Sequence, residues 1–165
     1  MKQEKLPILG WREWVALPEL DVKHIRCKVD TGARTSALHA FYVEGFTKDG
    51  LNMVRFGLHP IQGNTEKEIH CEAEVFDQRD VTDSGGHTET RYVIKTEIVV
   101  GKSIWPIEMT LTNRDTMRFR MLLGRTAIAE NFLVDSAGSH MLGKPASHPV
   151  ALPVHRYLSD EGEEE

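Results

Sequence analysis

The 165-residue chain has little cysteine: Cys27 and Cys71 are the only two. Two thiols cannot build a disulfide framework, so both are read as buried side chains and stability must come from a packed core. Long apolar runs are also missing. No stretch approaches the ~20 residues that a membrane helix needs. The polar residues 1–5, with Pro7 and Gly10 bracketing the first apolar stretch, do not read as a secretory leader. The expectation is a soluble, cytoplasmic protein. A broad basic surface is absent too. The formal charge is −5, and acids and bases are interleaved, which argues against a nucleic-acid partner. Part of that negative charge sits in one run, Asp160-Glu161-Gly162-Glu163-Glu164-Glu165. There is no His-Glu-x-x-His and no Gly-x-x-x-x-Gly-Lys-[Ser/Thr], so neither a zinc-peptidase helix nor a phosphate-binding loop is expected. The eight histidines are scattered. His70 and Cys71, being adjacent, would point to opposite faces of a strand and could not easily chelate one ion. No metal or cofactor is expected.

What the chain does have is enough apolar content, 40%, for one core, arranged mostly with a period of two. In residues 22–29, Ile25, Cys27 and Val29 share one face while His24, Arg26 and Lys28 share the other. That is a half-buried strand ending at Asp30. Further strands are expected at 36–46, 51–58, 68–76, 90–100, 104–112, 119–123 and 132–135. Gly101-Lys102-Ser103 is a compact hairpin connection, and 126–131 could form one or two helical turns. Short, closely spaced strands predict a mainly β fold, barrel or sandwich. From about residue 138 the pattern weakens. Residues 139–165 read as a loosely attached C-terminal arm with an acidic tail, beside a β domain over 1–138.

One short motif carries chemistry: Val29-Asp30-Thr31-Gly32-Ala33, immediately after an alternating strand. A carboxylate on a sharp loop is what an aspartic peptidase needs, provided a second one stands beside it. Two carboxylates at that distance share one proton. One takes a proton from water and the other polarises the scissile carbonyl. Gly32 would supply the turn without a Cβ clash. Thr31 would brace the pair by bonding across to the partner loop, and Ala33 is small enough to pack beneath it. Later in the chain comes Met121-Leu122-Leu123-Gly124-Arg125-Thr126-Ala127-Ile128.

With Asp-Thr-Gly-Ala first and Leu-Leu-Gly-Arg second, the sequence resembles the retropepsin family over about residues 22–134. The resemblance implies a closed, retropepsin-like β-barrel with a short helix after the Leu-Leu-Gly-Arg strand. Gly124 and Arg125 would support the catalytic loop from below. Longer stretches are similar to one bacterial subgroup, labelled ATP-dependent zinc proteases: Gly10-Trp11-Arg12-Glu13-Trp14-Val15, Leu17-Pro18-Glu19-Leu20 and Lys28 through Ala40. Some members of that subgroup are associated with ATP-grasp ligases that add glutamates to a ribosomal protein. The residues here support neither the zinc nor the ATP of the label.

The chain is too short for two pepsin-like lobes, so a dyad requires Asp30 from a second copy. A second Asp-x-Gly, Asp83-Ser84-Gly85, is followed by Gly86-His87 and lies in a polar stretch between strands. It reads as the tip of a hairpin at about 80–92, which in retropepsins is the flap over the substrate. Retroviral members place an acid where Arg34 stands. Arg34 and Arg125 would each need a carboxylate, such as Glu130, Asp135 or an acidic substrate; Arg34 could read acidic side chains of a peptide, although an ordinary salt bridge is the plainer role. Ala33, in place of a hydroxyl residue, predicts activity nearer neutrality than in pepsin-like enzymes. Trp11, Trp14 and Trp105 read as core or dimer-interface residues. Cys27 has no neighbouring signature of a nucleophile.

The reading is a homodimeric aspartic peptidase acting on a peptide or peptide-like amide. Its rival is a non-catalytic binding module that partners an ATP-grasp ligase.

Overall fold

The computed structural model describes residues 6–82, 85–113 and 118–152. It is mainly β. The strands are β1 (Ile8–Leu9), β2 (Arg12–Leu17), β3 (Val22–Val29), β4 (Ser36–His39), β5 (Tyr42–Lys48), β6 (Leu51–Leu58), β7 (Ile69–Glu74), β8 (Asp77–Thr82), β9 (Thr88–Val100), β10 (Ser103–Thr112), β11 (Met121–Leu123), β12 (Leu133–Val134) and β13 (Val150–Ala151), with one helical turn, α1 (Arg125–Ile128). The main sheet runs β13-β10-β4-β11-β3-β2-β9-β8, and β10 also pairs with β9. That extra pairing closes β10, β4, β11, β3, β2 and β9 into a hydrogen-bonded ring. Closure leaves no unpaired edge among those strands. A separate sheet, β5-β6-β7, and a two-stranded parallel ladder, β1-β12, lie outside it.

From His24 onward β3 alternates as period two requires; the phase breaks at Val22–Lys23, where the β2–β3 register shifts. Val22, Ile25, Cys27 and Val29 are buried, and Lys23, His24 and Lys28 are exposed. The same logic fills the ring from β2 (Val15, Leu17), β9 (Ile94, Ile98) and β10 (Trp105, Ile107, Met109). Trp105 is 1% exposed and packs on Phe132 at 5.3 Å between ring centroids. The burial of such a side chain contributes about 2–3 kcal/mol.

Three expectations need correction. Residues 36–46 are not one strand but two, β4 and β5. The chain changes neighbours between them: Ala40 N–H donates to the Thr112 carbonyl, and Phe41 N–H to that of Gly57. A strand at 77–82, β8, was not foreseen, because its residues are polar. It pairs only with β9 and lies at the edge of the sheet. Residues 139–152 are not loosely held. The backbone N–H groups of Met141 and Leu142 donate to the Glu13 carboxylate at 2.9 and 3.2 Å. Further along, β13 pairs in parallel with Ser103 and Ile104 of β10. No helix among the described residues is long and apolar enough to cross a membrane.

Candidate active site

Asp30 is the first residue past β3, where the chain must leave the ring. Its N–H donates to the Leu123 carbonyl at 2.9 Å, which continues the parallel β3–β11 ladder that ends at Leu123 opposite Val29. β11 also pairs with β4 (Met121 with Leu38, Leu122 with Ala37). The loop 30–35 therefore passes from β3 to β4 over the end of β11. The Gly124-Arg125-Thr126 turn rises into that loop and holds it through the backbone. Arg125 N–H donates to the Ala33 carbonyl at 2.7 Å, and Thr126 N–H to that of Arg34 at 3.0 Å. The Thr126 hydroxyl adds a second bond to the Arg34 carbonyl at 2.9 Å. Gly124 is fixed by contact: a Cβ there would stand 2.6 Å from the Thr35 carbonyl carbon, a backbone atom that cannot yield. Its N–H donates to the hydroxyl of buried Ser36 at 2.9 Å.

Within the loop, Asp30 Oδ1 accepts the N–H of Gly32 at 3.0 Å and of Ala33 at 3.2 Å. These two bonds fix the rotamer and aim the carboxylate at the exposed side of the loop, where Thr31 and Gly32 lie. Gly32 is not needed for a left-handed turn, since its φ is not positive. A Cβ there would lie 3.4 Å from Asp30 Oδ1, an ordinary contact. Arg125 Nη1 donates to the Thr31 carbonyl at 3.3 Å, and Asp135 Oδ1 accepts the Ala137 N–H. Arg34 is exposed on the same loop.

Strands β8 and β9 form an antiparallel pair, with Thr82 opposite Thr88. Asp83 and Ser84 lie outside the described residues. Gly85, Gly86 and His87 are exposed, with Gly86 at φ +87°. A polar path runs from this strand pair to the loop turn. Arg91 Nη1 contacts the Thr110 hydroxyl at 3.5 Å, and that hydroxyl donates to the Ser36 carbonyl at 3.1 Å. Among the described residues no three His, Cys, Asp or Glu side chains gather as a metal site would require.

Sequence reasoning missed Glu13. It is fully buried, and besides Met141 and Leu142 its carboxylate accepts the Gly10 N–H at 2.6 Å. The available signal was a lone acid in register with Val15 and Leu17 on the apolar face of β2.

Burial pushes the Cys27 thiol up to about 12, with a backbone hydrogen bond from Glu13 opposing and its carboxylate adding, and pushes Cys71 up to about 11, with Asp21 adding. Both are free thiols. In the folded chain neither is expected to react with a maleimide at pH 8, and both should react once it is unfolded. A folded-state value above that of the unfolded thiol means that the folded form holds its proton longer. The associated stability is complete below pH 9 and is lost as pH rises through 11–12. Denaturant titrations at pH 8 and pH 10.5 should show the loss; rapid labelling of Cys27 in the native protein would contradict it.

A strand ring that carries one Asp-Thr-Gly loop on a Leu-Leu-Gly-Arg turn is the architecture of a retropepsin-like protein. The chain belongs to the RimB-like family, described as retropepsin-like aspartic endopeptidase RimB, whose model matches residues 8–145. It is 48% identical over 136 residues to a probable alpha-L-glutamate ligase of Parasynechococcus marenigrum, a match over 82% of this chain and 29% of the relative. A protein of the same name from Shewanella pealeana is 46% identical over 137 residues, 83% of this chain and 30% of the relative. The chain thus spans less than a third of the length of these curated relatives. The fold is similar to the crystal structure of a Legionella pneumophila protein of unknown function, with a TM-score of 0.68 and 27% identity over 82% of this chain and 98% of that one.

Proposed function

We propose that the protein is an aspartic peptidase whose active unit is a homodimer, with Asp30 of each copy forming the dyad. The observation that carries this reading is the Asp30 carboxylate itself, pinned by two backbone N–H groups on a loop that the Gly124 turn holds from below. In the reaction, one carboxylate removes a proton from water as the water oxygen attacks the scissile carbonyl carbon. The other, protonated, gives its proton to the carbonyl oxygen. The C–N bond then breaks as the amide nitrogen takes the proton held by the first carboxylate and the second carboxylate takes a proton back from a hydroxyl of the tetrahedral intermediate. Thr31 braces the two loops, Gly32 turns the chain beside the carboxylate, and the β8–β9 pair closes over the substrate. Dimerisation would use an exposed edge. The β1–β12 ladder continues β2 past the Asp30 end of β3 and exposes Ile8 (42%) and Leu133 (55%) side by side.

The substrate class is a peptide, and glutamate-rich chains are the first to test, because the relatives are named glutamate ligases. Arg34 would favour acidic side chains in the cleft. Arg34→Glu should lower kcat/KM for an acidic peptide roughly five- to tenfold relative to a neutral one, the scale of one reversed partly solvated ion pair. An unchanged preference would remove Arg34 from substrate reading. The decisive experiment is hydrolysis by the parent and by Asp30→Asn, with sedimentation of both.

A second reading rests on the relatives. The matched region is less than a third of proteins named ligases, so the domain could serve a glutamate ligase as a binding or regulatory module. That reading requires no dyad and tolerates a monomer.

A further inference from the structure

Two features lie apart from the Asp30 loop: half-buried Trp14 and the acidic run at 160–165. Trp14 lies on the outer side of β2, and cations surround its ring. Lys144 Nζ stands 4.1 Å from the ring centroid and the Arg26 guanidinium 5.5 Å. His140 stacks on the ring at 5.6 Å, and His24 meets it edge-on at 5.4 Å. Arg12 is near, bonded to the Ser139 hydroxyl at 2.7 Å. Among the described residues no ion pair engages Arg12, Arg26 or Lys144. The one acid beneath them, Glu13, is occupied by three backbone N–H groups. His140 is held below its ordinary value by partial burial first and then by Arg26 and Arg12, with Lys144 adding and Glu13 opposing.

This cluster opens onto a groove of ≈ 810 Å³ whose lining includes Trp14, Lys23, His24, Arg26 and Lys67. The acids on its lining are Asp21 and Glu68; Glu68 already meets His70 at 3.1 Å and His59 at 3.8 Å. Cations gathered on an aromatic face with no carboxylate in an ion pair with Arg12, Arg26 or Lys144 among the described residues repel one another, and a flexible polyanion would relieve that repulsion.

We propose that this groove binds the chain's own acidic run, Asp160, Glu161, Glu163, Glu164 and Glu165, as a tethered ligand centred on Trp14, Arg26 and Lys144. The reach follows from the chain. Leu152 follows β13, which is fixed on β10, and it is as many residues from Lys144 as from Asp160. Whatever distance the chain covers from Lys144 to Leu152, an equal length of chain can cover it back, at up to ~3.4 Å per residue.

The test uses a fluorescein-labelled peptide, Asp-Glu-Gly-Glu-Glu-Glu, followed by anisotropy at low salt. The receptors are the full chain and a full-length variant with Asp160→Asn, Glu161→Gln, Glu163→Gln, Glu164→Gln and Glu165→Gln. A tethered tail has an effective concentration in the ~mM range, so the peptide should bind the neutral-tail variant at least about tenfold more tightly than the parent. Adding Lys144→Glu, an exposed position, to the neutral-tail variant should weaken binding about fivefold or more. Arg26→Gln should do the same with no charge reversal, and ~0.5 M salt should abolish the difference. Absence of binding to the neutral-tail variant would overturn the proposal. So would equal binding to both receptors, which, if lost with Lys144→Glu, would assign the groove to acidic peptides from another molecule.

Discussion

Asp30→Asn is expected to abolish peptide hydrolysis, by at least about 10³-fold, and to leave the fold and any dimer intact. The size follows from the role. An amide cannot take a proton from the attacking water, and positioned proton transfer contributes ~10²–10⁴ in rate. The specificity follows from the geometry. Asn keeps an oxygen where Asp30 Oδ1 accepts the Gly32 and Ala33 N–H groups, so the loop loses no backbone partner. The Leu123, Ala33 and Arg34 carbonyls keep their donors as well, since those bonds are made by main-chain N–H groups. The assay should span pH 3 to 8 with glutamate-tailed peptides beside a mixed library, and both proteins should be sedimented. A parent that cleaves as a dimer and a variant that sediments alike without cleaving would support the two-carboxylate mechanism. Equal rates in the two would show that Asp30 is not the reacting carboxylate. If both are folded and neither cleaves any substrate, the ligase-associated module becomes the better reading.

The loop could be read early because its determinants are local. Alternation in 22–29 ends at Asp30, and the residues that turn the chain follow at once. The support from Gly124 came from a motif far along the chain, but the reason for glycine there is visible only when the Thr35 carbonyl is found against it. What stayed hidden was set by neighbours. The alternation of 36–46 runs past the point where the chain leaves β10 for β6, since a period of two records which face is buried and not which strand lies alongside. Strand β8 carries almost no apolar signal, because as an edge strand it buries little. The Gly101-Lys102-Ser103 turn showed that β9 and β10 pair, but not that β9 also pairs with β2 and β10 with β4, which makes the strands a ring. Gly32 lies in the turn after Asp30, which the Ala33 N–H closes on the Asp30 carbonyl at 3.3 Å, without the positive φ that favours glycine.

Glu13 was the largest omission, and it leads to the second large expected effect. Its partners Met141 and Leu142 lie 128 and 129 residues away, beyond the reach of any local pattern. A buried carboxylate that accepts three N–H groups acts as a clamp between β2 and the segment after residue 138. In Glu13→Ala those donors lose their acceptor at once. Each unsatisfied buried donor costs about 1–3 kcal/mol, although Met141 is exposed and water can reach its side of the site. The net loss should be about 3–5 kcal/mol, the range for breaking a buried charged contact from one side, which corresponds to a fall in Tm of roughly 8–15 °C for a chain of this size. Glu13→Gln should also destabilise, because its amide can keep one acceptor but presents N–H donors to N–H donors. Denaturant unfolding measures the loss, and hydrogen exchange should show faster opening at 139–152 than in β3. If Glu13→Ala unfolds within about 0.5 kcal/mol of the parent, the scale of an ordinary surface change, the clamp does not hold the segment. If it unfolds early while exchange at 139–152 is unchanged, the carboxylate stabilises β2 alone, and the Trp14 face would keep its cations without it.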